Sequence, residues 1–371
     1  MSRPIVITGG GTGGHVFPMQ AVAEQLQVLG VSPGGLRYVG SRRGQEATLL
    51  AGGPIALTLL PGRGFRRSFA WPDLLSNVVA VLGLIGAVVV ALADVLRWRP
   101  SVVVSVGGYA SFAAAFAAVV WRRPLVLVEF DATPGAAQRV LTRFATWRCT
   151  AFESTDPRST TTGAPLRDTI IRIDRRDDAR RNARASAMPP IDDGRAVVVV
   201  MTGSLGSRRV NDAVSQLASL WGQRTDRTLI HVTGRRDFAS IQSARPTSGE
   251  LDYRIVEFGD MAELWAVCDA AVCRSGAITI GELTALGIAS VLVPLPGAPG
   301  DHQTKNAQAV ASAGGARLML DADCTAHALG ETLDDVLVAE NLMSMSAAAA
   351  ALGRRDAARE IAHVILKVAR P

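Results

Sequence analysis

The first residues with types and spacing suited to chemistry form a glycine-rich turn. An apolar strand around Ile5–Ile7 leads into GGGTGGHVFP at residues 9–18, and a helical pattern follows. Glycine there permits left-handed backbone conformations and lets another molecule approach the main chain closely. A helix N-terminus behind the turn adds unpaired N–H groups that favour anions. The segment therefore predicts a site for a phosphorylated ligand.

The turn departs from the fingerprint of dinucleotide-binding proteins. Its glycines can be aligned with G-x-G-x-x-G, but that pattern alone has low specificity. A second strand about 20 residues later should end in an acidic ribose ligand, whereas this chain has Tyr38–Ser41 there. His15 has no role in a dinucleotide site. A tight turn with an incidental histidine is the purely structural alternative.

Composition indicates a compact cytosolic protein with an anionic partner. Of the 371 residues, 48% are hydrophobic and 19% are charged, and the net charge is +6. The four cysteines lack metal-ligand spacing and are expected to be reduced core residues, and the first strand follows too closely on Met1 for a signal peptide. The charge fits an acidic substrate or a phospholipid surface. Without a basic and aromatic platform, nucleic acid is not expected as a partner.

Short β-branched runs alternate with helical patterns along the whole chain, which indicates an α/β fold. Continuous apolar strands are typical of parallel sheets covered by helices. We expect two Rossmann-like domains facing an interdomain cleft: residues 1–164 with a C-terminal helix at about 351–371, and residues 165–350. The polar segment 168–194 is interpreted as a boundary region with a solvated helix. The predicted strands are 4–9, 37–40, 102–107, 125–130, one near Thr150, 196–202, 228–233, 253–258, 270–273, 290–294 and 317–320.

The run at residues 78–93 contains no polar side chain. Its length falls short of a membrane span, so we expect a buried or interfacial helix. Cations and large apolar groups are interleaved just upstream: Arg63, Arg66, Arg67, Phe65, Phe69 and Trp71. This mixture suits the surface of an anionic bilayer. A solvated loop beside a core helix is the alternative.

Six segments resemble motifs of the MurG family, in the order of that family and over essentially the whole chain. They are GGGTGGHVFP (9–18), YVGSRRGQE (38–46), SVGGYAS (105–111), GAPLR (163–167), CRSGAITIGELTALG (273–287) and DHQTKNA (301–307). The resemblance implies a GT-B glycosyltransferase, peripheral at the cytoplasmic face of the membrane. It implies inverting transfer of N-acetylglucosamine from UDP-N-acetylglucosamine to undecaprenyl-pyrophosphoryl-N-acetylmuramoyl-pentapeptide (lipid I), which gives lipid II and UDP for peptidoglycan. It implies no cofactor and suggests cell-wall or division proteins as further partners.

On this resemblance, most of the donor site belongs to the second half of the chain. Glu282 is the implied ribose ligand, and a carboxylate behind a Ser-Gly turn can accept both ribose hydroxyls while the turn faces phosphate. Residues 259–261 resemble the loop that reads uracil. Gln303 and Asn306 carry neutral amides, which suit sugar hydroxyls. The other implied donor residues are Thr12, Gly13, Gly14, Arg167, Ser204, Met261, Arg274, Ser275, Gly276 and Ala277.

The acceptor side is assigned to the first half. His15 is the candidate general base for the attacking sugar hydroxyl, because the unperturbed pKa of histidine lies near neutrality. Glu129 is the second catalytic residue that the resemblance implies. The acceptor pyrophosphate is expected on backbone amides of Gly10, Gly11, Thr12, Gly13, Gly108 and Tyr109.

Some positions depart from the family pattern. The stretch at residues 126–135 keeps Glu129, but Val128, Phe130 and Asp131 stand for the histidine, glutamine and asparagine of HEQN-x-x-PG. An anionic Asp131 repels a pyrophosphate unless it is protonated or paired with arginine. Leu205 also replaces a glutamine.

Three alternatives to lipid II synthesis stay open: a transferase with another polyprenyl or glycolipid acceptor, a UDP-N-acetylglucosamine epimerase, and a non-catalytic UDP-sugar-binding scaffold. A DxD sequence at Asp321 and Asp323 is interpreted as a polar turn. No metal site is predicted.

Overall fold

The computed structural model describes residues 3–10, 13–61, 71–203 and 205–369. It separates into two compact units, Met1–Arg167 with Arg355–Pro371 (unit 1) and Asp168–Arg354 (unit 2). The strands are β1 (Ile5–Thr8), β2 (Leu36–Ser41), β3 (Ala56–Leu60), β4 (Val102–Ser105), β5 (Leu125–Glu129), β6 (Trp147–Thr150), β7 (Ser159–Thr161), β8 (Ala196–Met201), β9 (Arg227–Val232), β10 (Asp252–Val256), β11 (Ala270–Cys273), β12 (Ala289–Leu292) and β13 (Ala316–Leu318).

The helices are α1 (Gly13–Val28), α2 (Glu46–Leu49), α3 (Trp71–Trp98), α4 (Tyr109–Val120), α5 (Ala136–Thr142), α6 (Asp168–Ile171), α7 (Asp177–Ser186), α8 (Arg208–Leu220), α9 (Phe238–Ser243), α10 (Met261–Val267), α11 (Ala277–Leu286), α12 (His302–Ser312), α13 (Ala326–Val336), α14 (Ala339–Leu352) and α15 (Ala357–Val368). Short 3₁₀ helices lie at Pro33–Gly35, Pro299–Asp301 and Asp321–Asp323. All eleven predicted strands are confirmed, and the ten that were given bounds agree within two residues at each end. Strands β3 and β7 were not predicted.

Unit 1 contains a seven-stranded parallel sheet of order β3-β2-β1-β4-β5-β6-β7. Its central strands are continuous buried apolar runs because helices cover both faces. The chain builds outward from β1 in one direction and then from β4 in the other. The carboxyl ends of β1 and β4 therefore form a topological switch point, where open α/β sheets bind ligands.

Unit 2 repeats this plan with a six-stranded parallel sheet of order β10-β9-β8-β11-β12-β13. The valines of β8 and β12 pack with α8 and α13 around Trp221 and Leu329 in one core. The switch point lies between β8 and β11. Two such sheets confirm the α/β class with two Rossmann-like domains.

The predicted C-terminal helix is α15, and it is part of unit 1. Its apolar face, which includes Ile361 and Ile365, is fully buried. It packs on α1 and on strands β4 to β6. All four cysteines are free and buried, as their apolar surroundings predict.

Helix α3 contains the apolar run, and by length and composition its Val79–Trp98 stretch is long enough to cross a membrane. One face of small residues, Ala80, Ala87, Ala91 and Val95, is buried in unit 1, where α3 packs on α4. The opposite face is exposed: Val79, Val81, Leu82, Ile85, Val89, Val90 and Leu96. Because the helix is attached to the domain between Ala80 and Val95, this geometry favours the interfacial interpretation. Residues 62–70 and the Trp71 side chain lie outside what the structure describes.

The arginine-rich segment belongs to unit 2, and one face of its helix α7 is buried there, so the expectation of a solvated helix was wrong for that face. Arg184 of α7 lies 2.5 Å from the Asp269 carboxylate, and Arg180 contacts the same group. Asp269 is buried just before β11 and also accepts from the Val197 backbone N–H at 2.7 Å. A buried carboxylate needs such partners, and the two arginines supply them.

Candidate functional site

In unit 1, the predicted acceptor residues converge at the switch point. Thr8 and Ser105 are register partners in adjacent parallel strands, so the turns that follow them lie side by side. A Cβ placed on Gly108 would lie 3.0 Å from the Gly10 carbonyl oxygen and 3.8 Å from the His15 ring. The turn therefore needs glycine at position 108, where φ is 80°.

Of the remaining predicted acceptor residues, two begin helices and two lie outside the part of the chain that the structure describes. Gly13 is the first residue of α1, and Tyr109 is the first residue of α4. Gly11 and Thr12 lie outside the described residues. The helix starts of α1 and α4 follow strands β1 and β4, so both belong to the switch-point edge.

His15 is partly buried in the first turn of α1. Burial lowers its pKa below the usual 6.5, while the negative charges of Asp131 and Glu46 act in the opposite direction. The positive end of the helix dipole also disfavours an imidazolium here. The net effect favours the neutral ring, which can accept a proton. The two carboxylates stabilise the cation once it forms.

Glu46 is a site residue to which the sequence analysis assigned no role. Its carboxylate is fully buried and accepts from the Ser41 backbone N–H at 2.5 Å. A Cβ on Gly10, Gly40 or Gly44 would lie 2.1, 2.4 or 2.0 Å from atoms of this side chain. The glycines thus make room for a carboxylate behind the turn, as well as for a ligand in front. The signal was present in YVGSRRGQE, where two glycines precede the glutamate.

Glu129 ends β5, and its carboxylate is held by Arg148. The Arg148 Nη2 and Nε atoms donate to Glu129 Oε2 at 2.5 Å and Oε1 at 3.3 Å. Two parallel hydrogen bonds from one guanidinium group fix the orientation of the Glu129 carboxylate. The negative charge of Asp131 favours the protonated form of His15.

In unit 2, the predicted donor residues gather at the corresponding edge. Met201 and Cys273 are register partners, so the turn at residues 202–207 lies beside the turn at 274–276. Gly276 is the N-cap of α11 and makes no side-chain cap. Among the described residues outside its own chain neighbours, none has an atom within 4 Å of a Cβ placed on Gly276. The start of α11 therefore has free space beside it, and the first N–H groups of a helix favour anions. Ser204 lies outside the described residues.

Glu282 lies in α11 with only 5% of its surface exposed. Its Oε2 atom accepts from the indole N–H of Trp265 at 2.9 Å. Trp265 is on α10, and Met261 is the first residue of that helix. The structure thus brings together the predicted ribose ligand and the predicted uracil loop.

Ser275, Gln303 and Asn306 form one hydrogen-bonded group. Ser275 Oγ donates to the Gln303 carbonyl at 2.8 Å, and Asn306 Nδ2 donates to the Ser275 carbonyl at 3.2 Å. Gln303 Oε1 accepts from the Leu295 backbone N–H at 3.0 Å. Asn306 is fully buried, so its geometry favours support of the Ser275 turn over direct contact with a sugar.

Arg274 cross-links the loops of this edge. Its Nη2 atom lies 2.6 Å from Asp321 Oδ1 and donates to Ser207 Oγ at 2.5 Å, while Nη1 donates to the Pro294 carbonyl at 2.9 Å. Arg209 is a second partner of Asp321, at 3.2 Å. Asp321 of the DxD sequence is therefore an ion-pair residue, distant in sequence but adjacent in the fold to Arg274.

Four predicted donor residues fall in unit 1. Arg167 lies at the end of this unit, with its guanidinium 5.1 Å from the centre of the Phe17 ring on α1. Gly13 and Gly14 begin α1, and Thr12 is outside the described residues. Arg167 is thus held beside the helix that carries His15.

A buried polar network that no sequence motif indicated supports the turn at residues 202–207. Asn211 Nδ2 donates to the Thr233 carbonyl at 2.9 Å and to Asp237 Oδ2 at 3.0 Å. Asn211 Oδ1 must then accept from His231 Nε2 at 3.0 Å, and His231 Nδ1 accepts from the Tyr253 hydroxyl at 2.9 Å. A Cβ on Gly206 would lie 2.0 Å from the Thr233 carbonyl oxygen, so the turn rests directly on this network.

His231 is expected to make stability depend on pH. Burial lowers its pKa to about 4, whereas the unfolded chain binds the proton at about 6.5. Between these values the unfolded state holds more protons, so the free energy of unfolding should fall by up to about 1.4 kcal/mol per pH unit on acidification. Urea unfolding of the wild type and of His231→Gln at pH 7, 5.5 and 4.5 measures this. The variant should show a smaller pH dependence, and equal slopes would contradict the assignment.

Comparison with protein families places these sites in a known class. The glycosyltransferase family 28 N-terminal domain matches residues 5–148, and the family 28 C-terminal domain matches residues 197–361. The first match contains strands β1 to β5 of the unit 1 sheet, and the second contains most of the unit 2 sheet together with the start of α15. The fold and the matches define a glycosyltransferase with two Rossmann-like domains, the GT-B class.

Full-length relatives narrow the class. The chain is 35% identical, over all of both chains, to UDP-N-acetylglucosamine-N-acetylmuramyl-(pentapeptide) pyrophosphoryl-undecaprenol N-acetylglucosamine transferase of Alkalilimnicola ehrlichii. It is 32% identical to the enzyme of the same name from Cupriavidus necator, over 99% of each chain. The crystal structure of Acinetobacter baumannii MurG superposes with a TM-score of 0.78 at 26% identity, covering 99% of this chain and 100% of that chain. The chain belongs to the MurG family.

Proposed function

We propose that this protein transfers N-acetylglucosamine from UDP-N-acetylglucosamine to lipid I, which gives lipid II and UDP. The observation that carries the proposal is the position of the His15 ring next to Gly108 at the unit 1 switch point. Full-length similarity to enzymes named for this reaction supports it. It also argues against an epimerase or a non-catalytic scaffold.

In the proposed reaction, His15 takes the proton from the attacking hydroxyl of the acceptor sugar. The new bond forms at the anomeric carbon of N-acetylglucosamine as its bond to UDP breaks, so one displacement inverts the configuration. His15 serves better than Glu129, because Arg148 already holds the Glu129 carboxylate. The Glu46 and Asp131 carboxylates stabilise the imidazolium that forms. Backbone amides of the glycine turns are proposed to hold the acceptor pyrophosphate.

The donor is proposed to lie on the unit 2 edge. Glu282 accepts hydrogen bonds from the ribose hydroxyls, and the N-terminus of α11 at Gly276 and Ala277 faces the diphosphate. Oriented N–H groups at the start of α11 are proposed to stabilise the charge on the leaving UDP, and Arg274 holds the neighbouring loops in place. Gln303 is proposed to meet the donor sugar, with Asn306 holding the turn from behind.

A transfer assay with purified protein tests the proposal. Radiolabelled UDP-N-acetylglucosamine and a lipid I analogue should give a labelled lipid product and UDP. Absence of transfer at saturating donor would overturn the proposal. A panel of other polyprenyl and glycolipid acceptors, used with the same donor, separates lipid II synthesis from the reading with a different acceptor.

We further propose that the exposed face of α3 rests on the cytoplasmic face of the membrane. Its apolar side chains project away from the buried alanine face, and the chain carries a net charge of +6, which favours an anionic lipid surface. The double variant Leu82→Asp and Ile85→Asp should bind anionic vesicles more weakly while folding normally, as sedimentation and circular dichroism would measure. Leu220→Asp, at an exposed position on unit 2, is the control. Unchanged vesicle binding by the double variant would contradict the proposal.

A further inference from the structure

Helix α10 physically connects two parts of the proposed donor site. Its N-cap, Asp260, accepts from the Ala262 backbone N–H at 2.8 Å and fixes the loop proposed to read uracil. Trp265, one turn further along, is fully buried and donates its indole N–H to Glu282. The base loop and the ribose carboxylate are therefore linked through a single short helix.

Two arginines fix the other end of α10. Arg175 donates to the carbonyls of Trp265 at 2.5 Å and Cys268 at 2.9 Å, and Arg184 donates to the Val267 carbonyl at 3.1 Å. Carbonyl groups at a helix C-terminus lack intrahelical partners. Because guanidinium groups satisfy them here, the backbone that carries Trp265 is held firmly in place.

We propose that Trp265 is a positioning residue for donor binding, a step that rests on the proposed function of Glu282. The indole N–H holds Glu282 Oε2, and this fixes the direction of the carboxylate before the donor arrives. A carboxylate can accept about four hydrogen bonds, so the indole bond is compatible with acceptance from two ribose hydroxyls. An oriented carboxylate loses less conformational freedom on binding than a mobile one.

The test is Trp265→Phe in the full-length chain, which keeps an aromatic ring and removes the N–H. We expect KM for UDP-N-acetylglucosamine to rise about 3- to 30-fold, with kcat within about 2-fold of wild type, because a hydrogen bond to a charged group is lost. Trp221→Phe is the matched control, since Trp221 is also buried in unit 2 but lies at the end of α8. Thermal melting checks that both variants are folded.

A donor analogue identifies the route of the effect. With 2′-deoxyribose in the UDP-sugar, the difference in KM between wild type and Trp265→Phe should shrink, because one hydroxyl that the carboxylate would recognise is absent. If Trp265 had a merely structural role, the ratio of the variant's KM to the wild-type KM would be the same with both donors. That result would overturn the inference. So would an unchanged KM with the natural donor.

Failure of this inference can be told apart from failure of the proposed function. If Glu282→Ala weakens donor binding and Trp265→Phe does not, only the positioning role is wrong. If Glu282→Ala also binds the donor normally, the proposed ribose role of Glu282 fails, and the inference fails with it.

Discussion

The His15→Ala variant should lose about 10²- to 10⁴-fold in kcat for transfer while still binding UDP-N-acetylglucosamine. The loss is the usual contribution of a positioned general base. Donor affinity should stay within about 3-fold, because the proposed donor contacts are dominated by unit 2 residues such as Glu282 and Ser275. Initial rates with a lipid I analogue and calorimetric titration with the donor measure the two quantities separately.

A second variant distinguishes proton transfer from substrate positioning. His15→Gln retains a side chain that can form hydrogen bonds but cannot take up the proton, so it should not restore activity. In the wild type, kcat should fall at acidic pH as the His15 ring becomes protonated, and this acid limb should disappear from the residual activity of the variants. Activity of His15→Ala close to wild type would refute the base assignment.

The Glu282→Ala variant should bind UDP-N-acetylglucosamine about 10- to 100-fold more weakly than the wild type. Hydrogen bonds to a charged acceptor contribute about 1.5–3 kcal/mol each, and each 1.4 kcal/mol is a factor of ten in Kd. The substitution also leaves the buried Trp265 indole N–H without its acceptor, so thermal melting must accompany the titration. Glu282→Gln, which keeps the side-chain volume, should also bind the donor more weakly.

The control for charge is Glu263→Ala, because Glu263 is an exposed carboxylate on α10 of the same unit. It should bind the donor normally. A UDP-sugar with 2′-deoxyribose should lose affinity for the wild type but much less for Glu282→Ala. Equal losses for both proteins would mean that Glu282 does not contact the ribose.

The two strands that were not predicted both lie at edges of the unit 1 sheet, although the edge strands β10 and β13 of unit 2 were predicted. Strands such as β4 and β8 are continuous valine-rich runs because helices cover both of their faces. Strands β3 and β7 lie at the two edges of the unit 1 sheet and are only partly buried. Edge strands carry a weaker apolar pattern, and for β7 only the three residues Ser159–Thr161 were available as a signal.

Candidate site residues that lie within local sequence motifs could be predicted, whereas those that act through contacts distant in sequence could not. Motif order indicated His15 and Glu282, because their neighbours along the chain are glycines and serines suited to phosphate. It gave no account of Arg175, whose partners are backbone carbonyls about 90 residues later. Contacts of this length follow from packing, and no local pattern encodes them.

The sequence by itself determined the α/β class and membership of the MurG family. It also determined where along the chain a glycine-bearing turn follows a strand. These features depend on local residue types: β-branched runs form buried strands, and glycine permits the turns between strands and helices. Only the tertiary structure decided which charges meet. It placed Glu46 and Asp131 around His15, Arg148 on Glu129, Asp321 on Arg274 and Trp265 on Glu282. The physical reason is that the field at an ionisable group depends on distance and burial in space, which the chain fixes only after both sheets have packed with their helices.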